Sequence, residues 1–291
     1  RPQHQIHKEC KAPRMSFSSR MSKAFENALI LPLSTDSKYI LFSDCHRGDG
    51  RADDNFLKNE LLYLAALRYY NKRAFTYLEL GDGDELWENR SIERIQQMHP
   101  HSFEMLKKFK DEHRMHLIYG NHDMVKKDAE FCNKYMDVPS YPGILLKDEL
   151  HKKDIFLTHG HQAQIMNSTY WKVNRFFVRY LWKNLELLGV PDPTSAAKNN
   201  TRKGAVEQRL TQWAAKQQVI LIAGHTHRPF AGTKQSPYFN TGSCVHPAGI
   251  TGIEIENRCM TLVKWSLDTR PDQVIFVKRE ALGNTVCVDQ Y

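Results

Sequence analysis

The chain has 291 residues, of which 41% are hydrophobic, and its 41 Lys and Arg against 33 Asp and Glu give a formal net charge of +8. No run of about 18 apolar residues occurs, which excludes a predicted transmembrane helix, while the hydrophobic content suffices for an ordinary core. The positive charge fits acidic partners such as phosphates, nucleic acid or an anionic membrane surface, and it fits a solvated basic surface equally well. The length favours one large α/β domain with an insertion, so we expect a tail and lead-in at 1–37 and the domain at 38–291.

Five apolar runs are the main predicted strands, and each ends in a tip that carries Asp, Asn or His. In chain order the runs and tips are 39–42 with Asp44 and His46, 75–80 with Asp82, 115–119 with Asn121, His122 and Asp123, 155–157 with His159 and His161, and 219–223 with His225 and His227. Ligands of open α/β sheets bind at the carboxyl ends of strands, so these tips can bring donors to one point. Taken singly, a tip is as well explained by a turn, a helix cap or a hydrogen-bonded histidine, but five together favour a metal site.

Helical patterns alternate with these runs, and strands follow residue 242. The predicted helices are one capped by Asp53 or Asp54, with an apolar face of Leu57, Leu61, Leu64 and Ala65, and a second region at 91–110 that breaks near Pro100. The predicted late strands are 250–255, 260–265 and 274–277. Together these patterns predict two packed sheets flanked by helices.

The six cysteines are scattered along the chain, and no two form a Cys-x-x-Cys pair. This spacing argues against a structural zinc site and against a dense disulfide framework. Cys45 lies between two of the donors above, which favours a reducing compartment. We therefore expect a cytoplasmic protein, with a peripheral position on the inner face of the membrane as the alternative.

The ordered set Asp-x-His, Gly-Asp, Gly-Asn-His-Asp, His-Gly-His and Gly-His-x-His resembles the calcineurin-like metallophosphoesterase family, from about residue 38 to residue 244. The resemblance implies a four-layer αββα sandwich of two mixed sheets flanked by helices, with a helical cap insertion. It also implies two divalent metal ions. Mn²⁺ is the expected metal, and Fe, Zn, Co or Ni are alternatives, because Asp, Asn and His suit all of these ions.

The resemblance also implies a role for each donor. Asp44, His46 and His227 would hold the first metal, Asn121, His159 and His225 would hold the second, and Asp82 would bridge both. His122 would be the catalytic histidine, oriented by Asp123 and Glu85. Two metals roughly 3.5–4 Å apart can clamp a phosphoryl group, and the resemblance implies in-line attack by a metal-bridging hydroxide. His122 can then donate a proton to the leaving oxygen or stabilise the developing charge.

The segment at 165–217 is long for a connection between core strands, and its pattern predicts a helical insertion with one basic stripe. Three interpretations remain open: a solvated face of a packing helix, a cap whose cations meet substrate phosphates, and a helix that lies on a membrane surface. In a cap, some of the following cations would face the substrate: Lys172, Arg175, Arg179, Lys183, Lys198, Arg202 and Lys203.

This insertion, placed before Gly-His-Thr-His-Arg-Pro, resembles the family branch that contains UDP-2,3-diacylglucosamine pyrophosphatase, an enzyme of lipid A synthesis. The run Asp82-x-x-Glu85-x-Trp87 also resembles that branch, whereas His122 and His161 stand where Arg and Asp are typical. The resemblance implies a phosphohydrolase that cleaves a phosphoester or pyrophosphate in a phosphorylated small molecule or a nucleotide-linked lipid. A metal-dependent nuclease and a non-catalytic binding module are the alternatives, but no recognised nucleic-acid motif occurs.

Overall fold

The computed structural model of the protein describes residues 15–51, 54–89, 91–164 and 200–291. The helices of this part are α1 Phe17–Glu26, α2 Glu60–Lys72, α3 Ile92–Met98, α4 Pro100–Asp111, α5 Ala129–Tyr135 and α6 Asn200–Gln217. The strands are β1 Leu29–Leu33, β2 Lys38–Phe42, β3 Thr76–Leu80, β4 Met115–Ile118, β5 Ser140–Tyr141, β6 Ile144–Asp148, β7 Ile155–Leu157, β8 Ile220–Ala223, β9 Tyr238–Asn240, β10 Ile250–Glu256, β11 Cys259–Thr269, β12 Ile275–Ala281 and β13 Val286–Cys287.

The strands form two mixed sheets. The first sheet has five strands in the order β1-β6-β7-β8-β9, in which only β6 and β7 are antiparallel neighbours among the described residues. The second has eight strands in the order β12-β11-β10-β2-β3-β4-β5, with β13 beside β11. Its strands β2 to β5 are parallel, and the pairs on the other side of β2 are antiparallel. The five predicted strands that precede the candidate metal ligands are present as β2, β3, β4, β7 and β8, and the three predicted late strands are present as β10, β11 and β12.

Alternation of side chains along the strands divides the core into layers. On β2, Ile40 and Phe42 pack with helices α2 and α4, whereas Leu41 points between the two sheets. The layer between the sheets includes Ile222 of β8, and Trp213 of α6 belongs to the cluster that covers the outer face of the first sheet with α1. The order is therefore helices, sheet, sheet, helices, which confirms the predicted αββα fold. The predicted insertion lies mostly at 165–199, outside the described residues.

The predicted N-terminal lead-in is part of the folded unit. Met21 of α1 is fully buried, and the Arg20 guanidinium donates a 2.8 Å hydrogen bond to the carbonyl of Gln162. β1 then joins the first sheet beside β6. The folded unit thus starts by residue 17 rather than at 38. The pattern was weak because β1 is an edge strand, and Ile30 on it is 64% exposed.

The predicted apolar face of α2 is correct for Leu64, which is buried, but wrong for Leu57 and Leu61. The helix begins at Glu60 after a 3-10 turn, and Leu57 and Leu61 are exposed, while Asp54 accepts a hydrogen bond from the backbone N–H of Leu57. The buried face is formed by Leu62, Tyr63, Leu64, Ala66, Leu67 and Tyr70. This face includes Tyr63 and Tyr70, whose rings are buried and whose hydroxyls find hydrogen-bond partners inside the core.

The predicted break near Pro100 is confirmed, and His99 at the break links three elements. His99 is fully buried; its Nε2 lies 3.0 Å from Asp54 Oδ2 and its Nδ1 lies 3.1 Å from Glu60 Oε2. Burial acts to lower the pKa of His99, but the two carboxylates outweigh burial and raise this pKa to about 9. His99 is therefore a cation near neutral pH, and it fastens the loop that follows His46 to α2.

This linkage predicts that part of the stability is lost at alkaline pH. Because the folded-state pKa lies above the ordinary value, the His99 contribution is fully present below about pH 6.5 and disappears as the pH rises through 9. Solvent reaches the Glu60 side chain, which is 17% exposed, so we expect a loss of roughly 2 kcal/mol after allowance for screening. Urea unfolding between pH 6 and pH 10 measures this loss in the wild type, and His99→Gln should flatten it. His101→Gln, on a 71% exposed side chain of the same helix, is the control; equal pH dependence in all three proteins contradicts the prediction.

The cysteines of the described part form one disulfide, between Cys259 of β11 and Cys287 of β13, while Cys45, Cys132 and Cys244 are free and buried. Nothing in the cysteine spacing predicts this pairing, because it follows from the register of two paired strands. No helix of the described residues has the length and apolar character needed to cross a membrane.

Candidate metal centre

The five predicted tips lie at the carboxyl ends of strands from both sheets. β2, β3 and β4 are neighbours in the second sheet, and β7 and β8 are neighbours in the first. The backbone N–H groups of Asp44 and His46 donate to the carbonyls of Gly81 and Asp82, at 3.0 and 2.9 Å, so the loops after β2 and β3 remain paired beyond the strands. The donors therefore converge from two sheets, not from a single open sheet.

Most of the predicted ligands sit on sharply curved backbone. Five of the seven adopt the left-handed region that non-glycine residues seldom use, at a cost of about 1–3 kcal/mol each. They are Asp44 with φ 51°, His46 with φ 47°, Asp82 with φ 51°, His225 with φ 70° and His227 with φ 56°. Gly81 precedes one of them with φ 85°, and a Cβ there would lie 2.7 Å from the His159 ring. Such strain concentrates at functional sites because the surroundings enforce it.

The first donor group consists of Asp44, His46 and His227, whose ligand atoms lie within 4.8 Å of one another. His227 Nε2 is 3.0 Å from Asp44 Oδ1 and 3.3 Å from His46 Nε2. The other atoms of this group are already engaged: His46 Nδ1 pairs with Glu85 at 2.8 Å, and Asp44 Oδ2 accepts from the Ser43 hydroxyl and from the backbone N–H of His225. The inner atoms are thereby oriented toward one point.

The second donor group consists of Asp82, His159 and His225, and Asn121 joins it. His159 Nε2 lies 3.0 Å from Asp82 Oδ2 and 3.2 Å from Asn121 Oδ1. The Nδ1–H of His159 donates to the carbonyl of Leu80 at 2.8 Å, which leaves the Nε2 lone pair facing inward. Asp82 Oδ2 is also 3.9 Å from His46 Nε2 of the first group, so this oxygen lies between the two groups.

The chemistry of these atoms fits a pair of metal ions. His225 Nε2 is buried without a hydrogen bond in the described part of the chain, which is costly unless a cation engages it. Burial and the neighbouring His159 lower the pKa of His225 to about 3, so this imidazole is a neutral ligand. Burial acts to raise the pKa of Asp82, but His159 and His122 outweigh it and hold the pKa far below its usual value. Carboxylate, amide and imidazole donors suit Mn, Fe, Zn, Co or Ni.

His122 lies beside the first group, with its surroundings set by Glu85 and Trp87. Its Nδ1 is 2.8 Å from Glu85 Oε1, its ring stacks on Trp87 at 4.3 Å between centroids, and its backbone N–H donates to Asp82 Oδ1 at 2.8 Å. Burial acts to lower the pKa of His122, but Glu85 and Asp82 outweigh it and raise the pKa above its ordinary value. Glu85 contacts both His122 and His46, as the predicted orienting role requires.

Asp123 does not have the predicted role of orienting His122. Its Oδ1 accepts from the backbone N–H groups of Gly120 and Asp82, and its Oδ2 accepts from that of Gly83 and lies 2.8 Å from Lys126 Nζ. The carboxylate is turned into the core because the backbone N–H groups of two tight loops converge there and need an acceptor. Asp123 therefore holds the loops that carry Asp82 and Asn121.

Asn240, Thr226 and Thr241 position the last ligand loop, and none of them is among the site residues predicted from the sequence. The Asn240 amide donates to the carbonyl of Gly224 and to the Thr226 hydroxyl, at 2.8 and 3.1 Å. The Thr226 hydroxyl donates to Glu207 of α6 at 3.0 Å, and the Thr241 hydroxyl contacts Ser43 at 2.6 Å. Asn240 and Thr241 belong to an Asn-x-Gly-Ser run at 240–243, which begins at the last residue of β9.

Only one of the predicted substrate-facing cations has a described side chain. Lys203 lies on α6 and is buried, and Arg228, which follows the last ligand, pairs with Glu207 at 3.4 Å. The side chain of Arg202 and the residues Lys172, Arg175, Arg179, Lys183 and Lys198 lie outside the described part. His161 is buried beside the second group, with its ring centroid 5.6 Å from that of His159.

Comparison with known proteins identifies the domain. The family profile described as the calcineurin-like phosphoesterase superfamily domain matches residues 38–257. Among solved structures, the chain is similar to Vps29 of Chaetomium thermophilum, at 12% identity and a TM-score of 0.39 over 86% of this chain and 98% of that chain. It is also similar to the same protein complexed with the RaPID-derived cyclic peptide RT-D3, at 13% identity and a TM-score of 0.38 over 87% and 98%. No curated protein sequence matches the chain significantly.

Proposed function

We propose that this chain, which belongs to the calcineurin-like phosphoesterase superfamily, is a phosphohydrolase that uses two divalent metal ions and His122. The observation that carries the proposal is the pair of donor groups that meet at Asp82 Oδ2, with the buried Nε2 of His225 left without a hydrogen bond among the described residues. A binding module that had lost catalysis would not need to keep seven such donors, five of them on strained backbone.

The proposed ligands divide as the sequence predicts. Asp44, His46 and His227 would hold one ion, Asn121, His159 and His225 the other, and Asp82 would bridge them. Bound metals would supply Lewis-acid polarisation of the phosphoryl oxygens and a water that is nucleophilic at neutral pH. Because the metal could be Mn, Fe, Zn, Co or Ni, its identity has to be measured on loaded protein.

The chain itself would supply proton transfer and orientation. With its Nδ1–H donated to Glu85, the His122 ring presents Nε2 for the leaving oxygen. The Trp87 face and the Glu85 carboxylate limit rotation of the ring, which is how an acid catalyst is preorganised. Glu85 also contacts His46, so one carboxylate would fix the position of the proton donor His122 relative to a ligand of the first metal.

A pyrophosphate is the substrate that the charges beside the centre favour. Lys203 and Arg228 are close enough that the guanidinium, together with burial, lowers the pKa of the lysine, and Glu207 is the carboxylate that faces them. Such an excess of positive charge next to the ligand loop would suit a phosphate beyond the one being cleaved. This supports the pyrophosphatase branch of the superfamily, with a UDP-2,3-diacylglucosamine-like lipid as the finer proposal. A substrate of this kind would place the protein in the cytoplasm, next to the inner face of a membrane.

The substrate proposal predicts a selective defect. Replacing Lys203 or Arg228 by Gln should raise KM for pyrophosphate-linked substrates about 10-fold, because each change removes a hydrogen bond to a charged group. Turnover of nitrophenyl phosphate should change by less than about two-fold, since that substrate carries one phosphate only. Lys216→Gln, an exposed change on the same helix, is the control. If the two substrates are affected equally, Lys203 and Arg228 do not contact a second phosphate and belong to a solvated face.

The reaction class is tested by a substrate panel. Nucleotides, phosphodiesters, phosphoproteins, and nucleotide-sugar lipids are incubated with the protein and added Mn²⁺, and phosphate or nucleotide release is measured. Metal-dependent hydrolysis of at least one class supports the proposal, and preferential cleavage of diesters in nucleic acid would favour a nuclease. If protein that is shown to contain metal hydrolyses none of these substrates, a binding module remains as the function.

A further inference from the structure

Five charged side chains are buried directly beneath the proposed metal centre. Arg47, Glu79, Asp84 and Asp123 are fully buried, and Lys126 is 1% exposed. Two cations and three carboxylates leave this cluster with one net negative charge. Burying a charged side chain is costly unless an opposite charge lies close to it. We therefore ask which parts of the protein these five side chains hold in place.

Lys126 is the centre of this cluster. Its ammonium lies 2.7 Å from Asp84 Oδ2, 2.8 Å from Asp123 Oδ2 and 3.2 Å from Glu79 Oε1, which gives each of its three N–H groups an acceptor. These carboxylate oxygens form a compact group of the kind that binds a metal ion, and the ammonium takes the position of the cation. Burial acts to lower the pKa of Lys126, but Asp123 and Asp84 outweigh burial and raise it well above its ordinary value.

Two partners of Lys126 hold the loops that carry proposed metal ligands. Asp123 accepts hydrogen bonds from the backbone of Gly120, Asp82 and Gly83, and so joins the loop after β3 to the loop after β4. Asp84 accepts from the Arg47 guanidinium at 2.8 Å. Arg47 follows a ligand directly, and its backbone N–H donates to the carbonyl of Gly83 at 3.0 Å.

The geometry leaves little freedom at these loops. A Cβ on Gly83 would overlap the Glu79 carboxylate, and a Cβ on Gly120 would overlap the Asp82 carboxylate. Because the loops pack this closely, a small displacement of Asp123 would move Asp82 and Asn121 relative to the other ligands. Residues that orient metal ligands from behind typically change metal affinity when they are replaced.

We propose that Lys126 is a positioning residue of the metal centre, whose ammonium holds Asp123 and Asp84 where they fix the loops that carry Asp82 and Asn121. The inference rests on the proposed function, because it takes Asp82 and Asn121 as metal ligands. Lys126 has no part in the chemical step, since three carboxylates enclose its ammonium within the core.

The test is a Mn²⁺ titration of metal-free protein by calorimetry. Lys126→Met keeps the length of the side chain and removes the ammonium, and we expect it to weaken Mn²⁺ binding by roughly 10–100-fold. Its circular dichroism spectrum should stay that of the wild type, and saturating Mn²⁺ should restore kcat to within a few-fold. Lys134→Met, an exposed change on α5, is the matched control and should bind Mn²⁺ like the wild type.

A second variant covers the case in which Lys126→Met fails to fold. Combining it with Asp84→Asn leaves one cation and two carboxylates, which returns the cluster to one net negative charge. Asp123 still lacks its ammonium partner, so this variant should also bind Mn²⁺ more weakly than the wild type. If either variant folds and binds Mn²⁺ with wild-type affinity, the inference is overturned. If neither variant folds, the inference is also overturned, because Lys126 is then required for folding. If the wild type binds no Mn²⁺, the titration is repeated with Zn²⁺, Co²⁺, Ni²⁺ and Fe²⁺, and a wild-type protein that binds none of these ions would overturn the proposed function itself.

Discussion

Asp82→Ala is expected to release both metal ions and to lower kcat by roughly 10³-fold, which corresponds to about 4 kcal/mol of lost transition-state stabilisation. The reason is that Asp82 Oδ2 lies 3.0 Å from His159 Nε2 of one donor group and 3.9 Å from His46 Nε2 of the other. Without this carboxylate, the second donor group keeps only neutral donors, and the first keeps Asp44 as its only negatively charged donor. Elemental analysis after desalting, together with steady-state kinetics at saturating Mn²⁺, measures both effects.

Two further variants give this experiment its controls. Asp82→Asn keeps the shape and an oxygen donor but removes the charge, so its metal content should lie between those of the wild type and Asp82→Ala. Asp36→Ala removes an exposed carboxylate from a distant turn and should change neither metal content nor kcat. If Asp82→Ala still carries two ions after the same treatment, Asp82 is not the bridge.

The positions of the metal-type donors could be predicted because two local signals coincide. An apolar run predicts a buried strand, and a polar residue directly after it must lie at the edge of the sheet. That logic placed Asp44, Asp82, Asn121, His159 and His225 at strand ends. It did not show that the strands belong to two sheets, since strand partners are set by contacts between residues far apart in the chain.

The buried charged side chains beneath the metal centre could not be predicted in this way. Lys126 and Arg47 look like surface cations in the sequence, because Glu79 and Asp84, which help to make their burial tolerable, lie more than 30 residues away along the chain. For the same reason Asp123 was given the wrong contact: its neighbour His122 is close in sequence, but its acceptor sites are taken by backbone N–H groups of two loops. Burial of tyrosine on α2 also depended on hydroxyl partners elsewhere in the fold.

His122→Ala should keep both metal ions and lower kcat by roughly 10²–10⁴-fold, the usual effect of removing a general acid. His122 is not one of the seven proposed ligands, and Glu85 and Trp87 hold its ring in place beside them. Metal analysis of the variant separates loss of chemistry from loss of metal. His101→Ala, on an exposed helix surface, is the control for the substitution itself.

The choice of leaving group decides what His122 does in the transition state. A proton donor matters most when the departing oxygen is strongly basic, so the defect of His122→Ala should be large for an alkyl phosphate and should shrink for nitrophenyl esters, whose leaving group departs without protonation. A plot of log kcat against leaving-group pKa should accordingly be steeper for the variant than for the wild type. Equal losses for good and poor leaving groups would instead mean that the imidazolium stabilises charge on the phosphoryl oxygens or positions the substrate. Glu85→Gln, which weakens the hold on His122 Nδ1, should then produce the same uniform loss in milder form.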